Sequence, residues 1–222
     1  CISTDNGTGE GAGSILGTNH IFQFLMCSGG SQHWFVRNSE APTIEYCASD
    51  LITGDASYHG ENINLFYEPD DAIIRYNKFR NAFIGGGSTA VIAIAYTTGH
   101  LIYGNEFYKC GGGNATIGFN TSMGAGTKVY NNTFAGGWGA SGVSIGGTGS
   151  EVFNNLWIAC DAVGIEAASQ GSNTTSGSTS IFRDYAGGDL RLTGATVAGT
   201  TFGSPYNQDQ LGNTRGADGT WD

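Results

Sequence analysis

His59 and Glu61 stand two residues apart in "YHGENIN", just ahead of a strand-like run at Ile63, with Asp55, Glu68, Asp70 and Asp71 nearby in sequence. Two carboxylates can divide the general-acid and general-base work of a hydrolysis. Glu68, Asp70 and Asp71 also offer the hard oxygens that calcium prefers. The same segment reads equally as a polar turn leading into a strand, and "EPDD" has ordinary turn chemistry. Further on, "RYNKFR" gathers Arg75, Lys78 and Arg80, the one basic cluster of the chain, which could neutralise an acidic group and supply a base. The positions equivalent to Lys78 in later repeats are Glu106, Thr133 and Leu156, so no basic groove builds up.

Those equivalences come from a repeat. The phrase "aliphatic, aromatic, Asn, x, aromatic" recurs, with variations, in "AIIRYNKFRNAF", "LIYGNEFYKCGG", "KVYNNTFAGGW" and "EVFNNLWIACD". Anchored on Ile44, Ile74, Ile102, Val129, Val152 and Ile181, the steps are 30, 28, 27, 23 and 29 residues. A second series keeps phase with it: Ile63–Leu65, Ile92–Ile94, Ile117–Phe119, Val143–Ile145 and Ile165–Ala167. The apolar alternation has period two, and no stretch sustains helical spacing. One such unit cannot bury its own apolar face, so the repeats must stack, with stability summed over neighbours. The pattern predicts an all-β, single-stranded right-handed parallel β-helix (β-solenoid) of about six coils, with the repeats over 44–185. Residues 1–43 would form N-terminal coils or an edge segment, and 186–222 a tail packed on the solenoid.

Stacked coils lie ~4.8 Å apart, so a repeated residue becomes a column. Asn77, Asn105, Asn132 and Asn155 should form one amide ladder, bonding both the turn backbone and the next amide, at a corner where Asn tolerates a left-handed conformation. Phe79, Phe107, Phe134 and Trp157 should stack inside. One position after each opening aliphatic come Tyr103, Tyr130, Phe153 and Phe182, with Glu45 and Arg75 continuing the row. Alternation points this row outward. It could stack sugar rings, pack on a neighbouring subunit, or lie beneath a loop of the same chain.

Composition narrows the class. The chain has 222 residues, 38 Gly, nine Lys and Arg against nineteen Asp and Glu, and a net charge of −10, which argues against nucleic acid as a partner. No apolar run is long enough for a transmembrane helix. Five cysteines without a C-x-x-C argue against zinc and leave at least one thiol unpaired within the chain. Cys110 and Cys160 share a coil position two coils apart, too far for a disulfide. Cys1 could carry lipid, bridge to another chain, or simply mark where the sequence starts. "GAGSILG" and "GAGTK" lack the spacing of nucleotide-binding loops and read as turn glycines.

The Asn and aromatic ladders over roughly Ile44 to Tyr185 resemble right-handed parallel β-helix repeat proteins of the pectate-lyase-like superfamily. The end, "DLRLT…GSPYNQDQLGNTRGADGTWD", resembles the closing segment of secreted bacterial β-helix proteins of unassigned function. The resemblance implies an extracellular or cell-surface location. It also implies lyases with a Lys or Arg base and carboxylate-bound calcium, or hydrolases with clustered Asp near His. The hydrolase Asp–Asp and Gly-His-Gly patterns are absent from this chain. The expected function is therefore a structural or interaction solenoid without cofactor, a subunit of a surface assembly or a head-to-tail filament. The alternatives are a lyase or hydrolase of an acidic polysaccharide, with calcium as the metal to consider, or a non-catalytic glycan binder. Catalytic candidates are His59, Glu61 and Lys78.

Overall fold

A computed structural model describes residues 14–29, 32–52, 60–66, 70–82, 90–118 and 124–215. The chain winds as a parallel β-solenoid, and each full coil contributes one short strand to each of three sheets. The first sheet runs Ser14–Thr18, Gln32–Glu40, Glu61–Phe66, Ile92–Ala95, Ile117–Gly118, Val143–Ser144 and Ile165–Glu166. The second runs Ile21–Gln23, Thr43–Glu45, Ile73–Arg75, Leu101–Tyr103, Lys128–Tyr130, Glu151–Phe153 and Ser169–Gly171. The third has six strands: Met26–Ser28, Ala48–Asp50, Lys78–Arg80, Glu106–Tyr108, Thr133–Ala135 and Leu156–Ile158. We number the coils 1 to 7 in this order. No helix among the described residues is long and apolar enough to cross a membrane.

The predicted register holds through the middle. Ile44, Ile74, Ile102, Val129 and Val152 are successive partners, as are Ile63, Ile92, Ile117, Val143 and Ile165. A coil precedes Ile44, with Phe22 in its anchor position. The C-terminal end differs from the reading. In coil 7 that position belongs to Gln170, and Ile181 instead ends a 3-10 turn, Thr179–Ile181. The stretch between them, "GSNTTSGSTS", offers no large apolar residue to turn inward, so the solenoid stops. The chain then makes an antiparallel pair, Phe182–Asp184 with Asp189–Leu192. Phe182 and Leu190 pack there against Tyr108, Ala135, Leu156 and Ile158, on the outside of the third sheet.

A left-handed residue turns most of the corners between strands. Between the second and third strands it is Phe24, Tyr46, Tyr76, Gly104, Asn131, Asn154 or Ser172, with φ between 51° and 66°. The left-handed residue is thus the one before the ladder asparagine, which corrects the expected role of Asn77 and its equivalents. Their amides are freed to bridge coils. Asn132 Nδ2 donates to Ile102 O, Tyr130 O and Asn155 Oδ1, while its Oδ1 accepts from the backbone and side-chain N–H of Asn105. The ladder gains Asn173 at its far end, whose Oδ1 accepts from Asn155 N at 3.0 Å. At the near end stands Cys47, whose N–H donates to Asn77 Oδ1 and whose thiol donates to Glu45 O at 3.3 Å, a weak stand-in for an amide. The heavy glycine load serves close approach as well as turning: a Cβ at Gly142 would collide with the Gly164 carbonyl of the next coil.

Candidate functional site

The charged candidates are drawn into pairings between coils. Lys78 lies opposite Glu106 in the third sheet, and the two form an ion pair at 3.3 Å. Arg80 Nη2 donates to Gly188 O. Arg75 bonds Glu45 through Nε and donates from Nη1 to Tyr103 OH at 2.8 Å, and Gln23 donates to the other oxygen of Glu45. Asp70 Oδ1 accepts from Thr98 N at 2.7 Å and Thr98 Oγ1 at 2.9 Å, closing the turn of the coil above. Asp71 is a left-handed corner residue at φ 57°. Glu61 is buried at 1% exposure. Two residues in the same strand, Asn62 and Asn64, carry buried Oδ1 atoms with no partner among the described residues. His59, Asp55 and Glu68 lie outside the described residues. Among the described residues, no three His, Cys, Asp or Glu converge as a metal site.

The outward aromatic row is covered. Tyr103 and Tyr130 are each only 2% exposed, and Phe153 is partly buried. The reason is the segment following the hairpin, which runs back across this corner. Phe202 stacks on Tyr130 at 4.5 Å and 14°. Tyr206 meets Tyr103 and Tyr130 edge-on, at 5.2 and 4.9 Å. Polar contacts fix its course. Asn154 Nδ2 donates to Thr200 O and Asn154 Oδ1 accepts from Thr200 N, while Asn131 Nδ2 donates to Tyr206 O. Tyr76 OH reaches Gln208 O at 3.5 Å. Phe182 is not in this row, because coil 7 contributes Gly171 at that position. An exposed stripe of Tyr103, Tyr130, Phe153 and Phe182 is therefore corrected to three residues lying beneath a strap and a fourth elsewhere.

A second set of rings continues the corner toward the N-terminal side, and the repeat reading overlooked it. Tyr76 lies over Gly104, where a Cβ would come within 2.8 Å of its ring, and it meets Tyr103 edge-on at 5.6 Å. Tyr46 lies 5.3 Å from Tyr76, and Phe24 stacks on Tyr46 at 5.6 Å and 18°. The sequence signal was an aromatic immediately before the ladder position, in "RYN" and "EYC". Exposure rises along this column: 7% at Tyr76, 37% at Tyr46 and 76% at Phe24.

The phenols of this corner resist ionisation. Burial pushes the Tyr76 hydroxyl up to about 12. Burial also raises Tyr103, against the opposing pull of Arg75. Tyr130 is raised by burial and by donating to Glu151. These phenols are held protonated, Tyr76 and Tyr130 donating to Gln208 O and Glu151 while Tyr103 accepts from Arg75. No protein-family model matches this chain, and comparison with curated proteins and with solved structures finds no match.

Proposed function

We propose that this protein is a structural and interaction β-solenoid of an extracellular or cell-surface assembly, and that its likeness to the pectate-lyase-like superfamily is one of scaffold. The observation carrying this reading is that the repeated side chains are used to build a rod. The amides hold coil to coil, Lys78, Arg75 and Lys128 each pair with a carboxylate on a neighbouring coil, and the outward aromatic row is covered by the chain itself. With that flank covered, the ends are the surfaces suited to assembly. Val163, Ile165 and Ala167 of coil 7 are only partly buried, and the tail touches coil 7 at Ser172 while its other contacts go to coils 3 to 6. Head-to-tail contact there is heterologous and propagates as a filament.

Electron microscopy and light scattering across a concentration series test this directly. Rods lengthening along the solenoid axis are expected, and a monodisperse monomer at high concentration would end the proposal. A second reading, cleavage of an acidic polysaccharide, draws support from the Asn62 and Asn64 acceptors, unpaired among the described residues, in the strand of Glu61. Its test is polysaccharide cleavage with and without calcium in wild type, His59→Ala and Glu61→Gln. Cleavage abolished by either substitution would establish it in place of the first.

A further inference from the structure

The outward rows of the solenoid finish differently at its two ends. On the third sheet one row runs Met26, Ala48, Lys78, Glu106, Thr133, Leu156 and Thr174, each the partner of the next. Its first member is a large apolar side chain, 68% exposed. Its last is a threonine at a crevice of about 390 Å³, walled by Leu156, Ile158, Thr174, Gly177, Ile181 and Val197. The chain lines this crevice twice, as residues 176–178 on leaving coil 7 and as residues 195–197 after the hairpin. A narrower crevice adjoins it and reaches Ser172, and Val197, 77% exposed, lines both. No charged residue lines either one.

The left-handed corner column shows the same inequality, beginning at the exposed Phe24 and ending at Ser172. Coil 1 therefore carries apolar knobs in the rows where coil 7 carries small polar residues beside an open crevice. Knob against knob, or crevice against crevice, would leave one set unmatched, so the complementary contact joins unlike ends. Stacking coil 1 of a second copy on coil 7 extends each row at the spacing of the solenoid, ~4.8 Å. Met26 of the second copy then stands one step beyond Thr174, and its flexible thioether chain can bend over the threonine into the crevice. The interior offers less, because Phe22 of the second copy would face Gln170, whose amide is turned to Ile165 O at 3.3 Å. We propose that the crevice at the C-terminal end receives Met26 of a second copy, with Phe24 of that copy closing over Ser172 against Val197. The proposal rests on the head-to-tail reading above and gives that contact a register.

The test uses the full chain. Met26→Asp and Val197→Asp change exposed side chains, so each variant should keep the circular-dichroism spectrum of the wild type. Each should raise the concentration at which rods form about tenfold or more, the loss expected when a methionine-sized contact is no longer buried. Rods appearing at the wild-type concentration in either variant would overturn the register and leave head-to-tail assembly standing. No rods in the wild type would end both. A cysteine pair locates the contact directly and decides the matter if an aspartate variant does not fold. Met26→Cys with Val197→Cys, oxidised at a rod-forming concentration, should give a ladder of covalent oligomers on a non-reducing gel. Each single cysteine variant supplies the background from the native thiols, and a double variant no different from that background refutes the proposal. Covalent dimers and nothing longer from Met26→Cys alone would assign the knobs to a twofold contact between starting coils, which refutes it as well.

Discussion

The solenoid carries two columns of aromatic rings at the same coil spacing, one inside and one at an outer corner, and they behave differently. Inside, Phe79, Phe107, Phe134 and Trp157 stack nearly parallel, at 4.9, 4.7 and 4.6 Å with angles of 20°, 6° and 1°. Outside, Tyr76, Tyr103, Tyr130 and Phe153 tilt toward edge-on contacts, and the rings of Phe202 and Tyr206 are inserted among them. Backbone register is equally regular for the inner rings and for Tyr103, Tyr130 and Phe153, so spacing alone does not fix ring geometry. Enclosure does. The inner rings are walled by three sheets and can lie only one above another. The outer rings have open space, which polar partners and the tail then fill.

The inner column should be the more costly to break. Phe134→Ala removes a fully enclosed ring from the middle of a stack and is expected to destabilise by about 3–5 kcal/mol in urea unfolding. A loss below about 1 kcal/mol would mean that the core collapses around the gap. Acid should act on the interior next. His100 is fully buried, with Nδ1 accepting from Ala72 N and Nε2 bonded to Thr97 Oγ1. Burial lowers it from 6.5 to about 4. Between those values the unfolded chain binds a proton that the folded protein refuses. Stability should therefore fall by roughly 3 kcal/mol as pH drops through that window. Unfolding midpoints at several pH values measure this, and His100→Gln should flatten the slope.

The amide ladder beside the inner rings comes third. Asn132→Ala leaves Asn105 N–H and the Ile102 carbonyl without their partner and should cost roughly 1–3 kcal/mol. A neutral result would show that water reaches this corner. The outer column should respond least. Phe202→Ala loses its stack on Tyr130, about 0.5–1.5 kcal/mol, and two looser edge-on contacts with Phe153 and Tyr206. That loss should appear as faster amide exchange in residues 196–210, with the global midpoint nearly unchanged. An equally large drop in the midpoint would mean that strap and core unfold as one unit, and the distinction between the columns would disappear.

The inner column was the legible one. Ile74, Ile102, Val129 and Val152, with their asparagines and rings, announce themselves because every coil places the same demand on the same position. Asn173 belongs to that ladder but escaped, since coil 7 is short and neither an aliphatic nor an aromatic accompanies it. Ile181 and Phe182 looked like a further repeat because step length and residue type matched. Their neighbours, rich in serine and glycine, could not bury another coil.

What the sequence by itself determined was the periodic part: strand positions, inward faces, the Asn and Phe ladders and their register. A parallel stack converts local periodicity into contacts, so each coil needs information only from itself and its neighbours. What only the tertiary structure decided was the fate of the outward residues. Tyr103 and Tyr130 have the same composition and spacing whether they are bare or covered. Their burial depends on Phe202 and Tyr206, roughly 70 to 100 residues further on, in a tail without periodicity. Its path is set by a few long-range ring contacts and hydrogen bonds with corner amides, which no local pattern encodes.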